Sequence, residues 1–141
     1  MMPRACVLCA ALAVALAGCG GGSYKTVPVS GRVTLDNKPL ANAIITFVPE
    51  AATGVNDPTP SSVGITGEDG TYSLALNTDG KTKGAVVGKH KIIIVVGSGT
   101  STEATRTFHK QLPQRYNRNT ELTCDVPGGG RSDANFDLKS R

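Results

Sequence analysis

The stretch of sequence that decides the fold is residues 27–36, VPVSGRVTLD. Its valines, its leucine and Gly31 fall on one side of an extended chain, and its polar residues together with Pro28 fall on the other, because successive side chains of a β-strand point to opposite faces. Residues 36–39 (DNKP) then favour a turn, since Asp36 and Asn37 both tolerate a left-handed backbone. The stretch therefore predicts a half-buried strand followed by a tight turn.

The rest of the chain repeats this arrangement of short strands and turns, and no stretch has a useful helical period. We predict further strands at residues 43–48, 62–66, 71–76, 90–96, 121–126 and 135–138. Pro49 ends the first of these because it lacks a backbone donor, and Gly70 supplies the positive φ of the turn at 68–70. The residues expected to face inward are Ala43, Ile45, Phe47, Val63, Ile65, Tyr72, Leu74, Leu76, His90, Ile92, Ile94, Val96, Leu122, Cys124, Val126, Phe136 and Leu138. Seven short strands separated by turns predict an all-β fold, a single seven-stranded antiparallel β-sandwich.

The strand at 90–96 differs from the others because both of its faces are apolar. Ile93 and Val95 lie opposite the inward-facing residues, so we expect this strand at the centre of a sheet or beneath a covering loop. Residues 77–88 read as a polar loop. The loops at 50–61 and 97–118 are the candidate binding loops, since function in such domains is usually carried by loops on a rigid scaffold.

The N-terminal residues read as a targeting signal. Arg4 provides a single positive charge, and residues 5–17 form an apolar run that is too short to cross a bilayer. Leu16, Ala17, Gly18 and Cys19 then resemble the bacterial lipobox, in which the chain is cut before the cysteine and the thiol is acylated. An ordinary secretory signal with an incidental cysteine is the alternative.

This interpretation divides the chain into three parts. Residues 1–18 are a lipoprotein signal peptide that is removed, residues 19–26 are the lipidated Cys19 with a flexible, Gly-rich tether, and residues 27–141 are the β domain. Because Gly20 and not Asp follows Cys19, we expect transport to the outer membrane, with the domain facing the periplasm or the cell surface. The lipid attaches the chain to the membrane.

Several segments of the β domain resemble the carboxypeptidase regulatory-like family, whose members are also called transthyretin-like or prealbumin-like domains. Residues 29–49 resemble the opening of these domains, residues 67–72 (GEDGTY) their central hairpin, and residues 84–92 (GAVVGKHKI) a later segment in which His90 stands where Tyr is usual. Residues 112–116 and 135–138 resemble small planctomycete envelope lipoproteins that combine this domain with a lipobox. The resemblance implies a transthyretin-like or immunoglobulin-like sandwich with an accessory or interaction role, and it brings no catalytic residues.

The charge distribution argues against a nucleic-acid-binding protein, and the cysteine content argues against a domain stabilised by disulfides. Lys and Arg number 15 against 11 Asp and Glu, for a net charge of +4. The two tightest basic groups, residues 81–91 and 110–118, lack the density and the aromatic interleaving of a nucleic-acid surface, so we predict no nucleic-acid binding. Cys6 and Cys9 leave with the signal and Cys19 carries lipid, so Cys124 has no partner for an intramolecular disulfide.

No combination of residues predicts an active site, a metal site or a bound cofactor. Cys124 is expected in the core, where a free cysteine behaves as a small apolar residue, and neither His90 nor His109 stands at zinc-ligand spacing from it. The turn at 68–70 lacks the alternating oxygen ligands of a calcium loop. The glycine runs at 20–22 and 128–130 lack the Lys and Ser/Thr of a phosphate loop. We therefore expect a protein without enzymatic activity.

Two function classes remain open. The first is a non-catalytic binding or structural module at the cell envelope. A protein partner is favoured over a glycan, because the chain has no Trp and few aromatic residues to stack on sugar rings. The second is a tethered accessory subunit of an envelope enzyme or transport complex, with the activity in a neighbouring protein.

Overall fold

The computed structural model describes residues 24–50, 59–96 and 112–141. These ranges are all-β, with one 3-10 helix at Gln114–Tyr116 and no α-helix. None of their helices is long and apolar enough to cross a membrane. The strands are β1 (Thr26–Val27), β2 (Ser30–Leu35), β3 (Lys38–Pro39), β4 (Ala43–Pro49), β5 (Ser62–Ile65), β6 (Thr71–Ser73), β7 (Ala75–Leu76), β8 (Ala85–Val86), β9 (Gly88–Val96), β10 (Thr123–Val126) and β11 (Phe136–Leu138).

The larger sheet has five strands in the order β10-β9-β4-β5-β7, and all its pairs are antiparallel. The longest pairing joins β4 to β9, from Ala43 opposite Val96 to Pro49 opposite His90. Strand β9 therefore has a neighbour on each side, so residues 90–96 form an interior strand as expected, although β4 and not β9 is at the centre of the sheet. Pro49 is the last residue of β4, as expected from its missing backbone donor.

The smaller sheet is built around β2, which pairs with β11, β3 and β6, and a two-stranded sheet joins β1 to β8. Strand β11 runs parallel to β2, with Phe136 opposite Val33. The predicted single sandwich of seven antiparallel strands therefore differs from the structure in strand number and in the direction of its last strand. The direction of a pairing follows from the route of the connecting chain, which the local apolar pattern does not encode.

The core lies between the two main sheets, and the predicted alternation of 27–36 is confirmed there. Val27, Val29, Val33 and Leu35 are buried, whereas Arg32 on the other face of β2 is exposed. The inward residues of β4 and β9 meet them from the larger sheet. The aromatic contact across the core joins Phe47 of β4 to Phe136 of β11, with ring centroids 6.2 Å apart in an edge-on arrangement.

The face assignment of β5 is wrong in the sequence analysis. Ser62, Gly64 and Thr66 face the core, whereas Val63 is half-buried and Ile65 is 63% exposed. Gly64 is required because a Cβ there would lie 2.7 Å from the carbonyl oxygen of Ser73. The side-chain oxygen of Thr66 accepts the backbone N–H of Ala43 at 2.9 Å. Neighbours in space, and not hydrophobicity, therefore decide which face of this strand is buried.

Two other segments differ from the sequence prediction. Residues 71–76 are not one strand, because β6 pairs with β2 and β7 pairs with β5, so the chain passes from one sheet to the other at Leu74. Leu74 is buried, but Leu76 is only half-buried. The predicted polar loop at 77–88 contains β8, whose Ala85 and Val86 are buried against β1. Strands of two residues are too short to produce a readable alternation.

The turn predicted at 36–39 is confirmed at its first two residues only, because Lys38 and Pro39 form β3. Leu35 pairs with Lys38, so the connection is a two-residue hairpin, and both of its residues have positive φ (Asp36 49°, Asn37 66°). This is the geometry of a type I′ turn, whose twist matches that of the strands it joins.

Candidate functional site

The predicted lipid-attachment site and most of the predicted binding loops lie outside the described residues. Leu16, Ala17, Gly18 and Cys19 all precede residue 24, so lipidation stays a prediction. Of the two candidate loops, residues 51–58 and 97–111 are likewise not described, and His109 is among them. The described parts of these loops are residues 50, 59–61 and 112–118.

The described part of the second loop packs against the domain. Leu112 and Tyr116 are buried, and the Tyr116 hydroxyl accepts the N–H of Lys139 at 3.1 Å, just past the end of β11. The Arg115 guanidinium lies 5.0 Å from the centre of the Tyr116 ring and donates to the carbonyl oxygen of Arg141 at 3.0 Å. Residues 112–116 therefore hold the C-terminal segment in place.

The structure brings His90 and Cys124 together as directly opposed residues of β9 and β10. His90 is 1% exposed, and its Nδ1 lies 3.0 Å from the carbonyl oxygen of Gly88. Because a carbonyl oxygen only accepts, Nδ1 carries the proton of a neutral ring. Nε2 then has no hydrogen-bond partner within the described ranges. Burial lowers the pKa of His90 and favours this neutral form.

The Cys124 thiol is also buried, at 7% exposure, and burial raises its pKa. The Arg131 guanidinium lies 3.5 Å from Sγ and opposes this rise without reversing it. A cysteine nucleophile needs a thiolate with access to substrate, whereas Cys124 is a protonated, enclosed thiol. Within the described part of the chain, no three His, Cys, Asp or Glu residues are placed to hold a metal ion.

The edges of the larger sheet are partly covered. At β7, the backbone N–H of Leu76 donates to Thr82, and Ala75 forms a bridge with Lys83. At β10, Arg131 Nη1 donates to the carbonyl oxygen of Asp125 at 3.1 Å. Covered edges offer few free backbone groups for an added strand.

The outward face of the larger sheet carries a group of apolar side chains, which we call the outer apolar face and define as Ile44, Val63, Ile65, Ile93 and Val95. Ile44 lies opposite Ile65 on one side and Val95 on the other, and the next row places Val63 and Ile93 on either side of Thr46.

The solvent side of an antiparallel sheet is normally polar. Here Ile65 is 63% exposed, and the other four residues are half-buried. Contiguous apolar surface of this kind marks an interaction site more often than isolated apolar residues do. From the local pattern only Ile93 and Val95 are expected to form an outward apolar surface, and Val63 and Ile65 are expected in the core.

Charged side chains lie at the other end of the same sheet face. Lys91 and Lys89 follow Ile93 along β9 toward its start, and Lys89 lies 3.8 Å from Glu50 in an exposed ion pair. Such a pair contributes little to stability. The face is therefore apolar at one end and charged at the other.

Comparison with known proteins leaves the family open. No protein-family model matches the chain, and no curated protein matches it at a significant level. A solved structure that is similar to the chain is that of a DUF3823 family protein from Parabacteroides merdae, with 17% sequence identity and a TM-score of 0.42. The match covers 81% of this chain and 46% of that protein, so the chain spans about half of its length. The resemblance to carboxypeptidase regulatory-like domains stays a prediction.

Proposed function

We propose that the chain is a lipid-anchored lipoprotein of the cell envelope whose β domain is a non-catalytic binding module, and that its outer apolar face contacts a protein partner. The observation that carries the proposal is that face, with Ile65 63% exposed among four other apolar side chains. The lipobox ending at Cys19 and the likeness to carboxypeptidase regulatory-like domains support an envelope location, with Gly20 favouring the outer membrane.

A protein surface fits the outer apolar face better than a sugar does. The face is part of an open sheet and presents aliphatic side chains, with no aromatic ring among its five residues. Covering aliphatic groups with a partner lowers the free energy by about 25 cal/mol for each Å² of apolar surface removed from water. Protein interfaces place such groups at their centre. The partly covered edges β7 and β10 make side-chain contact the main route of binding.

Site-directed photo-crosslinking in cells tests this proposal. A photoreactive residue at position 65 is expected to give one discrete protein adduct, and the same residue at Lys38, exposed on the smaller sheet, is expected not to. Val95→Lys, introduced on β9 at the other side of Ile44, is expected to abolish the adduct formed at position 65. An adduct unaffected by Val95→Lys, or the same adduct at both positions, would contradict a specific interface at this face.

The identity of the adduct separates the two functional classes. An envelope enzyme or transporter subunit would make this chain a tethered accessory subunit. A structural envelope protein would make it a binding or structural module. Isolation of a glycan in place of a polypeptide would exclude both versions of the protein-partner proposal.

A further inference from the structure

A second surface feature lies on the outward side of the smaller sheet, away from the outer apolar face. It is an open depression of about 350 Å³ between β2, β6 and the segment 132–135. Its polar lining includes Ser30, Arg32, Thr71, Ser132 and Asn135. Ser30 and Arg32 alternate with the buried Val29 and Val33 along the chain, so they belong to the face that points away from the core.

The segment that lines one side of the depression contains an extra residue relative to β2. Val29 forms a parallel bridge with Arg131, and Val33 pairs with Phe136. The segment 131–136 is therefore one residue longer than the segment 29–33 that it lies beside. The backbone N–H of Ala134 donates to Ser30 at 3.1 Å, which keeps the segment attached while Ser132 and Asp133 extend outward. Bulges of this kind redirect side chains and are frequent beside functional sites.

The polar groups around the depression are mainly unused donors. The Arg32 guanidinium makes no hydrogen bond or ion pair with any described residue, and neither do the hydroxyl groups of Ser30 and Ser132. The Asn135 side-chain oxygen accepts the backbone N–H of Arg32 at 2.9 Å, which leaves the two N–H groups of that amide available. The lining therefore offers a fixed amide and a free guanidinium to one ligand.

Three acidic side chains in the surrounding segments each already accept a hydrogen bond or pair with a cation. Asp137, opposite Thr34 on the strand beside β2, accepts the Thr34 hydroxyl at 2.6 Å. Asp69 accepts hydrogen bonds from the Thr71 hydroxyl at 2.7 Å and the Thr71 backbone N–H at 3.1 Å, and the hydroxyl is the main reason why the pKa of Asp69 is lowered. Arg32 contributes only weakly to that shift. Asp133 is paired with Arg131 at 3.1 Å. The positive charge of Arg32 therefore remains available for a ligand.

We propose that this depression binds a carboxylate group carried by a peptide, as a site separate from the outer apolar face. A guanidinium presents two parallel N–H groups to a carboxylate, and the Asn135 amide adds a third donor. A sugar acid is disfavoured because the ring of Tyr72 at this site is 5% exposed, and its hydroxyl donates to the carbonyl oxygen of Ala134. No ring surface is thus presented for stacking.

The test is an NMR titration of the purified full chain in detergent, following the side-chain N–H signals of Arg32 and Asn135. The probe is an acetylated tripeptide, Ala-Ala-Ala, with a free C-terminal carboxylate, and its C-terminal amide is the matched control. We expect the carboxylate peptide to shift both signals in a saturable manner at concentrations up to about 20 mM, and the amide to shift neither. A second probe pair, with Glu or Gln inside an amidated peptide, tests a side-chain carboxylate.

Variants of the chain make the result specific. Arg32→Gln is expected to weaken binding by at least about tenfold, since a charge-assisted pair is lost. Arg32→Lys keeps the positive charge but loses the two parallel N–H groups of the guanidinium, so its affinity for the peptide is expected to lie between those of Arg32→Gln and the wild type. Lys38→Gln, the control, is expected to change the affinity less than about twofold. Three results would overturn the proposal. The first is binding that persists in Arg32→Gln, and the second is the absence of any shift with the wild type. The third is saturable binding of glucuronate but of neither peptide acid.

The outcome is independent of the proposed function, because Val95→Lys alters only the outer apolar face. That variant is expected to retain peptide binding while losing the adduct formed at position 65. Loss of peptide binding in Val95→Lys would show that the two surfaces are not separate, and would contradict the assignment of the site to the depression.

Discussion

At the scale of single residues, the turns of this domain depend on backbone conformation and on close approach together. Gly70 has a φ of 77°, and a Cβ at this position would lie 2.5 Å from the carbonyl oxygen of Val33. Gly80 has a similar φ of 62°, but a Cβ there would meet nothing within 4 Å. The two glycines therefore separate the cost of a positive φ from the cost of a steric clash.

Replacement of these glycines by alanine is expected to have unequal effects. Gly80→Ala should lower the free energy of unfolding by about 1 kcal/mol, the usual cost of a positive φ. Gly70→Ala should lower it by about 3 kcal/mol, because backbone atoms must also move. Chemical denaturation of both variants measures the difference. Equal effects would show that the contact with Val33 does not constrain the turn.

The buried imidazole of His90 is expected to make stability depend on pH. Burial lowers its pKa in the folded state, so the unfolded chain binds the proton more readily. The contribution of His90 to the free energy of unfolding is therefore fully present above its unfolded pKa of about 6.5. As the pH falls below that value, the contribution is lost by at most about 1.4 kcal/mol per pH unit. Unfolding of the wild type and of His90→Phe between about pH 7.5 and 5 tests this, and the variant should show the shallower slope. His109 is present in both chains, so equal slopes would contradict a buried, neutral His90.

At the scale of secondary-structure elements, β5 shows that alternation alone does not identify the buried face. The strand carries Ser62, Gly64 and Thr66 inward because close packing and a hydrogen bond to Ala43 require them there. Its apolar residues Val63 and Ile65 consequently face outward and complete the outer apolar face. The inversion that the sequence analysis missed is thus the feature on which the proposed function depends.

Two substitutions in β5 test the inverted face. Ile65→Glu should change the free energy of unfolding by less than about 0.5 kcal/mol, because the side chain is on the surface. Gly64→Ala should cost about 2 kcal/mol or more, because its Cβ would lie 2.7 Å from the carbonyl oxygen of Ser73. The opposite order of effects, measured by chemical denaturation, would place Ile65 in the core and remove the basis for an apolar binding face.

At the scale of the whole molecule, the domain places two different surfaces on the outward sides of its two main sheets. The larger sheet presents aliphatic side chains, and the smaller sheet presents an unpaired guanidinium with polar neighbours. The buried residues between them form one cluster that joins both sheets. Under the two proposals, one surface would contact a protein partner and the other a peptide carboxylate, with the predicted lipid on Cys19 holding the domain at the membrane.

Membrane attachment is expected to depend on Cys19 and not on Cys124. Cys19→Ser should prevent acylation and release the chain from the membrane fraction, because the lipid supplies the attachment. Cys124→Ala is the matched control and should leave the chain in the membrane pellet, extracted by detergent but not by salt. Wild-type chain in the soluble fraction, or an unmodified Cys19 at the mature N-terminus by mass spectrometry, would favour an ordinary secretory signal.

The sequence by itself determined the features that depend on neighbours along the chain. The alternation of 27–36, the inward faces of β4 and β9 and the turn at Asp36 and Asn37 all follow from the geometry of an extended backbone and from local conformational preference. The expected burial of His90 and Cys124 is also confirmed, because each falls on the same face of its own strand as a buried apolar residue.

Only the tertiary structure decided the features that depend on neighbours in space. The parallel pairing of β11, the change of sheet at Leu74 and the buried face of β5 are set by segments far away in sequence. Both proposed surfaces belong to this group. The outer apolar face needs three adjacent strands, and one side of the Arg32 depression is lined by a segment about one hundred positions from β2, because contact between distant segments is decided by the packing of the whole core.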